Sequence, residues 1–356
     1  MNAREREDQA LSFRKAVDRG PVLETFQPWT LTIDRFLQQG LPLEIGGPLS
    51  SDHDIGGPPE PYVQTAWGEL VFAYESWLGF DPLRRISFTL PFRRQPARIR
   101  DQHDWLALLE RSRSAPDTSF SREDLLQACS GLSAGHDQGT FSLRLNLEGF
   151  FWIPRELLGI EPHLYAFYDQ PDLLHAINQT VLELYIERLK DLLRLCPVNV
   201  VYIMEDLSGK NGPMISPAFF DEFVGSYYRQ LVPVLKAYGV RHVFVDTDGD
   251  FSTLIPNFLA AGIDGFLPLD VNAGIDIVQL RQHYPQIKLI GGFNKLCLVE
   301  GRDAVAREFE RILPVIRQGG FIPGNDHQVA PATLFETYRY YIDCLKAAMR
   351  ESGRDA

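Results

Sequence analysis

Acidic residues recur where short apolar runs end, over the C-terminal two thirds of the chain. Glu205 and Asp206 close one run, Asp246 and Asp248 the next, and Asp270 the one after; Asn294 and Lys295 follow a Gly-Gly-Phe, and Asp326 and His327 end the last. Asp246 and Asp248 stand two apart, so their side chains leave an extended chain on the same side. Converging carboxylates of this kind can hold a divalent cation through oxygen, or a cationic or polyhydroxylated substrate. The D-x-D-G-D pattern of 246–250 is not an EF-hand loop, because the required Gly and terminal Glu spacing is missing.

Glu205 and Asp206 are adjacent, so at most one points into a given mouth, and the other is expected to pair with Lys210. Paired carboxylates can split their pKa values and serve as acid and base. His327 titrates nearest neutral pH and lies beside Asp326 in a Gly-rich loop. Lys295 is expected to pair with Asp270 or another strand-end acid, or to hold an anionic group. The catalytic candidates are therefore Asp248, His327, Glu205 and Asp246. Asp206, Lys210, Asp270, Asn294, Lys295 and Asp326 are the binding candidates. No metal site is assigned firmly; a divalent ion would fall to Asp246, Asp248 and His327.

These residues need a scaffold that brings run ends together. The runs span 141–148, 199–206, 242–248, 263–270, 287–295 and 320–327, and helix-like stretches separate the last five. Strand–helix alternation argues for a parallel sheet covered by helices. A (β/α)8 barrel gathers its strand C-termini at one face, where such enzymes keep their sites. A further strand is predicted at 85–92. A helix follows Pro171 and stops before Pro197. Ser216–Pro217 and Ser252 read as helix starts, with Gly239 and Gly262 as stops. Helices over 276–284, 303–318 and 333–350 complete the set. Upstream, 31–39 reads as a short helix, 42–61 as a Pro/Gly-rich loop, 62–80 as an aromatic-rich segment and 99–137 as a surface excursion with helical patches. The expected organisation is one barrel over 85–356, with residues 1–84 as an N-terminal extension packed on it.

Composition bounds the partners. The 356 residues carry a formal net charge of −12, with 45% hydrophobic and 23% charged residues. Nucleic-acid binders show basic patches; here Arg93, Arg94, Arg98 and Arg100 make the one modest basic run. Cys129, Cys196, Cys297 and Cys344 form no CxxC pair, which points to a reducing cytoplasm. The charged N-terminus does not read as a secretory leader, and no run approaches the ~20 apolar residues of a membrane span. P-loop, GxGxxG, GxSxG and HExxH motifs are missing.

The segments 147–161 (LEGFFWIPRELLGIE), 205–223, 243–270, 288–295 and 319–331 (GGFIPGNDHQVAP) resemble the uroporphyrinogen decarboxylase superfamily. That resemblance implies a (β/α)8 barrel with an N-terminal extension. It also implies one of two chemistries: cofactor-free decarboxylation of uroporphyrinogen, or methyl transfer between a corrinoid and thiols or tetrahydrofolate. The decarboxylases carry an arginine-rich segment near the N-terminus, which is not found at the start of this chain. The zinc-dependent thiol methyltransferases carry His-x-Cys where Asp246 and Asp248 stand, and a later Cys where the loop here offers Gly324 to His327. The soft thiolate set is gone, so zinc is not expected.

The expected function is methyl transfer between a small substrate and a corrinoid or tetrahydrofolate carrier, the carrier being a co-substrate and no cofactor being tightly bound. A corrinoid protein is the expected partner, and a homodimer the expected assembly, with no nucleic acid or membrane. The alternatives are a decarboxylase of uroporphyrinogen or a related acid, and a non-catalytic ligand-binding barrel.

Overall fold

The structure, a computed structural model, describes residues 1–14, 18–50, 66–94, 98–114 and 122–352. The predicted loop over 42–61 lies outside these from residue 51 onward.

Seven strands form one all-parallel sheet in chain order: β1 (Leu83–Ser87), β2 (Ser142–Glu148), β3 (Val200–Met204), β4 (His242–Thr247), β5 (Gly265–Pro268), β6 (Lys288–Phe293) and β7 (Phe321–Asn325). Each pairs with its neighbours in register, for example Met204 opposite Asp246 and Gly292 opposite Gly324. Sequential parallel strands with helices between them curl into a barrel.

Eight strands are expected and, among the described residues, seven have ladders in this sheet. The eighth place is filled by 20–25. Val22 exchanges bonds with Asp81 beside the start of β1: Asp81 N donates to Val22 O and Val22 N to Asp81 Oδ2, both at 2.8 Å. On the other side, Asn325 of β7 donates its N and Nδ2 to the two oxygens of Glu24, at 2.9 and 3.0 Å. The segment includes Pro21, which lacks an N–H, and its bonds to β7 come from a side chain. It therefore closes the wall without a backbone ladder. The wall thus begins near residue 20, inside the stretch 1–84 read from sequence as an extension.

The barrel interior confirms closure. Leu23, Leu83, Val200, Tyr202, Phe244, Leu267, Ile290 and Ile322 form one inner cluster, each from a different wall segment except the β3 pair. Ala10 and Leu11, from the helix Ala3–Leu11, join it from below. That helix also brings Glu7 to Arg144 inside the barrel, where Nε of Arg144 donates to Glu7 at 2.6 Å and both side chains are buried. Outward-facing Leu143, Leu145, Val201, Val243 and Val245 pack against the helices in the larger core. Along β4 the alternation is plain: His242 and Phe244 point inward below Asp246, and Val243 and Val245 point outward.

Local signals hold at several helix ends. The Ser216 side chain accepts from Phe219 N, and that of Asp276 from Val278 N. The helix starting at Pro217 carries a π-helical turn over Asp221–Gly225. The surface excursion expected over 99–137 is instead two helices, Gln102–Ser114 and Arg122–Asp137, whose Trp105, Leu108, Cys129 and Leu132 enter the main core. The aromatic-rich stretch contains the helix Ala66–Leu78.

Candidate functional site

A cleft of about 240 Å³ opens at the C-terminal ends of the strands. Asp206, Asp246, Asp248 and His327 line it, four of the residues singled out from sequence. Phe26, Trp152, Met204 and Gln328 complete the wall.

Asp246 tops the inward column of β4. It is 9% exposed, and among the described residues no donor reaches its carboxylate. Burial, with the charges of Asp248 and Asp206 beside it, pushes its carboxyl well above the usual carboxylate range. Its charged form is therefore disfavoured unless a cation stands beside it. Asp248 continues on the same side and meets His327, Oδ2 to Nε2 at 3.4 Å. The His327 ring packs between Phe26 and Trp29, with centroids 5.5 and 6.1 Å away.

Asp206 sits at the end of β3 with φ 42°, the left-handed region that Asp tolerates better than most residues. Its backbone N and that of Glu205 both donate to Asp246 O, tying the ends of β3 and β4 together. Its carboxylate pairs with Arg155, whose Nη1 lies 3.0 Å from Oδ2 and 2.7 Å from Asp206 O. Arg155 also covers the Trp152 ring, 4.8 Å from its centroid. Lys210, the expected partner, is exposed at the turn of a hairpin joining Ser208–Gly209 to Gly212–Pro213, away from the cleft.

Glu205 is the clearest correction. It does not line the cleft. Its fully buried carboxylate accepts from the backbone N of Phe150, Phe151 and Trp152, at 3.0, 2.8 and 3.0 Å, and from the Tyr228 hydroxyl. It anchors the N-terminal end of the helix Trp152–Leu158. A Cβ on Gly149 would lie 2.1 Å from this carboxyl carbon, so the close approach requires glycine there. Burial pushes Glu205 up to about 7 despite its four donors.

The remaining candidates form a second group, at the ends of β5 to β7. Buried Asp326 accepts from Val271 N, Lys295 N and Asn272 Nδ2, and burial raises it to about 6. Asp270 caps the turn Val271–Ala273. Asn294 Oδ1 accepts from Asn272 Nδ2 and Leu296 N. Lys295 Nζ stands 4.0 Å from Asp326 rather than at Asp270. These contacts hold loops in place, and none of the four residues lines the cleft. Gly291 and Gly292 serve the wall: a Cβ on Gly291, at φ 101°, would lie 2.1 Å from Pro268 O.

The suggested metal set does not converge. Among the described residues, the acid and imidazole side chains that bring three ligand atoms within 4.8 Å of one another are Asp101, His103 and Asp104, on another surface.

Sequence reasoning missed Arg155, Trp152 and Phe26. Arg155 and Trp152 follow β2 by one turn of helix, a place where strand-end residues reach a barrel mouth. Phe26 follows 20–25, whose strand-like role is hidden by its shortness. Within the basic run, Arg93 makes a two-pronged pair with Glu148, which also accepts from Trp152 Nε1, whereas Arg100 pairs with Asp104.

A profile of the uroporphyrinogen decarboxylase family matches residues 155–348, more than half of the chain. No curated protein sequence matches significantly. Among solved structures, a methyltransferase from Methanosarcina mazei superimposes over 99% of both chains, with a TM-score of 0.67 at 15% identity. At that identity the likeness is one of fold. A B12-independent methionine synthase from a Shewanella species, in complex with selenomethionine, aligns over 65% of each chain at 14% identity, with a TM-score of 0.40. No helix of the described residues is long and apolar enough to cross a membrane.

Proposed function

The chain belongs to the uroporphyrinogen decarboxylase family, and on that premise we propose that it is a methyltransferase, moving a methyl group between a small substrate and a corrinoid or tetrahydrofolate carrier. The observation that carries this reading is the charge of the cleft. Three carboxylates line it, and the cation beside them, Arg155, is already engaged by Asp206. A substrate bearing many carboxylates would meet like charge here with little to offset it. The cleft is also small, below the roughly 300–1,000 Å³ of typical ligand pockets. It suits a small methylated molecule or the edge of a pterin, with a protein-borne carrier approaching from outside.

The donor set fits a carrier that arrives as co-substrate better than a resident zinc. It offers hard oxygen and one imidazole, without thiolate. A bound corrinoid would supply a nucleophile for the methyl carbon. The chain's own residues do the rest. Asp206, fixed by Arg155, and Asp248 orient the small substrate. The buried Asp246 presents a carboxyl whose charge follows that of its occupant. His327, next to Asp248, takes or gives a proton at the cleft's edge. Phe26 and Trp152 exclude water.

The test offers the purified protein two chemistries in parallel: uroporphyrinogen, followed by loss of carboxyl groups, and a panel of methyl donors with reduced cobalamin, followed by its spectrum. Turnover of a methyl donor supports the reading. Decarboxylation of uroporphyrinogen with no methyl transfer contradicts it.

A further inference from the structure

We propose that the cleft is a subsite for a small methylated ammonium ion, seated on Asp246 and Asp248 against the rings of Phe26 and Trp152. The chemistry assigned to that ion rests on the methyltransferase reading; its binding does not.

Asp246 is more than nine-tenths buried, lines the cleft, and receives no hydrogen bond from the described residues. Its oxygens are not among the enclosed unpartnered atoms of the interior but open onto the cleft, so an occupant can meet them directly in place of solvent. An anion is excluded by Asp206 and Asp248 on either side. The guanidinium beside the cleft is spent, because Arg155 lies on Asp206, and the His327 ring already faces Asp248. The occupant is therefore a cation or a neutral donor.

The walls distinguish further. Phe26, Trp152 and Met204 are carbon-rich, and the indole N–H of Trp152 is committed to Glu148. A hydrated ammonium bearing several N–H groups would lose water against these walls and regain few acceptors. A methylated ammonium spreads its charge over an apolar surface. Aromatic rings attract such ions; one Trp152 face carries Arg155, which leaves its other face and the Phe26 ring for the ion. Charge matches the floor, and methyl groups match the walls.

The same ion is a competent methyl donor. The bond between the methyl carbon and nitrogen breaks with its electron pair staying on nitrogen. The methyl carbon bonds to the electron pair of the carrier's nucleophile, a reduced corrinoid. A neutral tertiary amine leaves; breaking the carbon–nitrogen bond itself requires no proton, and the released amine takes one up at the cleft's edge, where His327 gives it. Between the two steps the charge is gone, and Asp246 no longer has reason to hold the product.

The experiment titrates the protein with tetramethylammonium and choline at constant ionic strength, following tryptophan fluorescence and calorimetric heat. The control ligand is 3,3-dimethylbutan-1-ol, the uncharged carbon counterpart of choline. Saturable binding of the ammonium ions, with the uncharged ligand at least ~10-fold weaker, is the expected result. Asp246→Asn is expected to weaken ammonium binding by at least ~10-fold and leave the uncharged ligand unaffected. If that variant fails to fold, the comparison of charged and uncharged ligands on the wild-type protein still decides. Equal binding of the two, or no saturable ammonium binding, overturns the inference. Transfer from a neutral donor without ammonium binding would overturn it and leave the methyltransferase reading intact. Ammonium binding without transfer from any donor would do the reverse.

Discussion

Glu205→Ala tests whether that carboxylate holds the cleft together or acts within it. The structure gives it three backbone donors, at Phe150, Phe151 and Trp152, and the Tyr228 hydroxyl. Each buried donor left without an acceptor costs about 1–3 kcal/mol. A water entering the vacated space would satisfy some of them, so a net loss of about 3–6 kcal/mol is expected rather than the full sum. For a chain of 356 residues that corresponds to a drop in melting temperature of roughly 4–8 °C. Tyr228→Phe removes one hydroxyl and should cost only about 1 kcal/mol. Glu205→Gln should fall between the two, because its amide N–H₂ faces backbone donors. The helix anchored here carries Trp152 and Arg155, so ligand binding should weaken in parallel with stability. Thermal unfolding followed by circular dichroism reads the stability. A Glu205→Ala protein that melts within about 2 °C of wild type, yet loses activity, would refute the anchoring role and return Glu205 to the chemistry.

The other expectations concern different parts of the molecule. Asp248→Ala and His327→Ala should each lower activity by about 10²–10⁴-fold while leaving the melting temperature nearly unchanged, since the Asp248 side chain is 42% exposed and its described ion pair is with His327; a large loss of stability in either would make the pair structural. Glu7→Gln should destabilise by about 3–5 kcal/mol, because it leaves Arg144 charged and uncompensated inside the barrel; denaturant unfolding measures this, and a change under about 1 kcal/mol would show that water reaches Arg144. The stability that two buried carboxyls contribute should also fall as pH rises from about 4.5 to 7. Burial holds Glu24 and Glu205 up to about 7, above the ordinary 4.5, so their contribution is complete below 4.5 and lost as pH climbs through 7. Each contributes a slope of about 1.4 kcal/mol per pH unit within that window. Below 6.5 the trend is opposed by His136, His163 and His242, whose burial keeps them neutral in the fold and chargeable once unfolded. Melting temperatures against pH should therefore show the carboxyl contribution as a difference from a variant: between pH 4.5 and 7 Glu24→Gln should lose less stability per pH unit than the wild type; an identical pH dependence in that variant would contradict the assignment.

The strand ends were legible because apolar runs closing in Asp, Asn or His have few other readings. The pair Asp246 and Asp248 also followed directly from two-residue periodicity, and both line the cleft. What periodicity cannot give is the difference between neighbours. Glu205 and Asp206 look equivalent in sequence. Yet the β3 end turns through the left-handed conformation of Asp206, sending one carboxylate to the mouth and the other under a helix. Asp326 and His327 part in the same way, one buried beneath loop amides and the other facing Asp248. The wall segment 20–25 was hidden because its bonds to β7 run through the Glu24 side chain rather than a ladder. Arg155 escaped notice because its role depends on the φ of Asp206, a residue 51 positions away.

The most direct test of the account measures transfer of a labelled methyl group to reduced cobalamin by the wild-type protein and by Asp246→Asn, side by side, with uroporphyrinogen as the rival substrate. The account predicts transfer by the wild type, a loss of at least about 10²-fold in the variant, and a melting temperature unchanged by the near-isosteric substitution. Uroporphyrinogen turnover that persists in Asp246→Asn, with no methyl transfer by either protein, would contradict it.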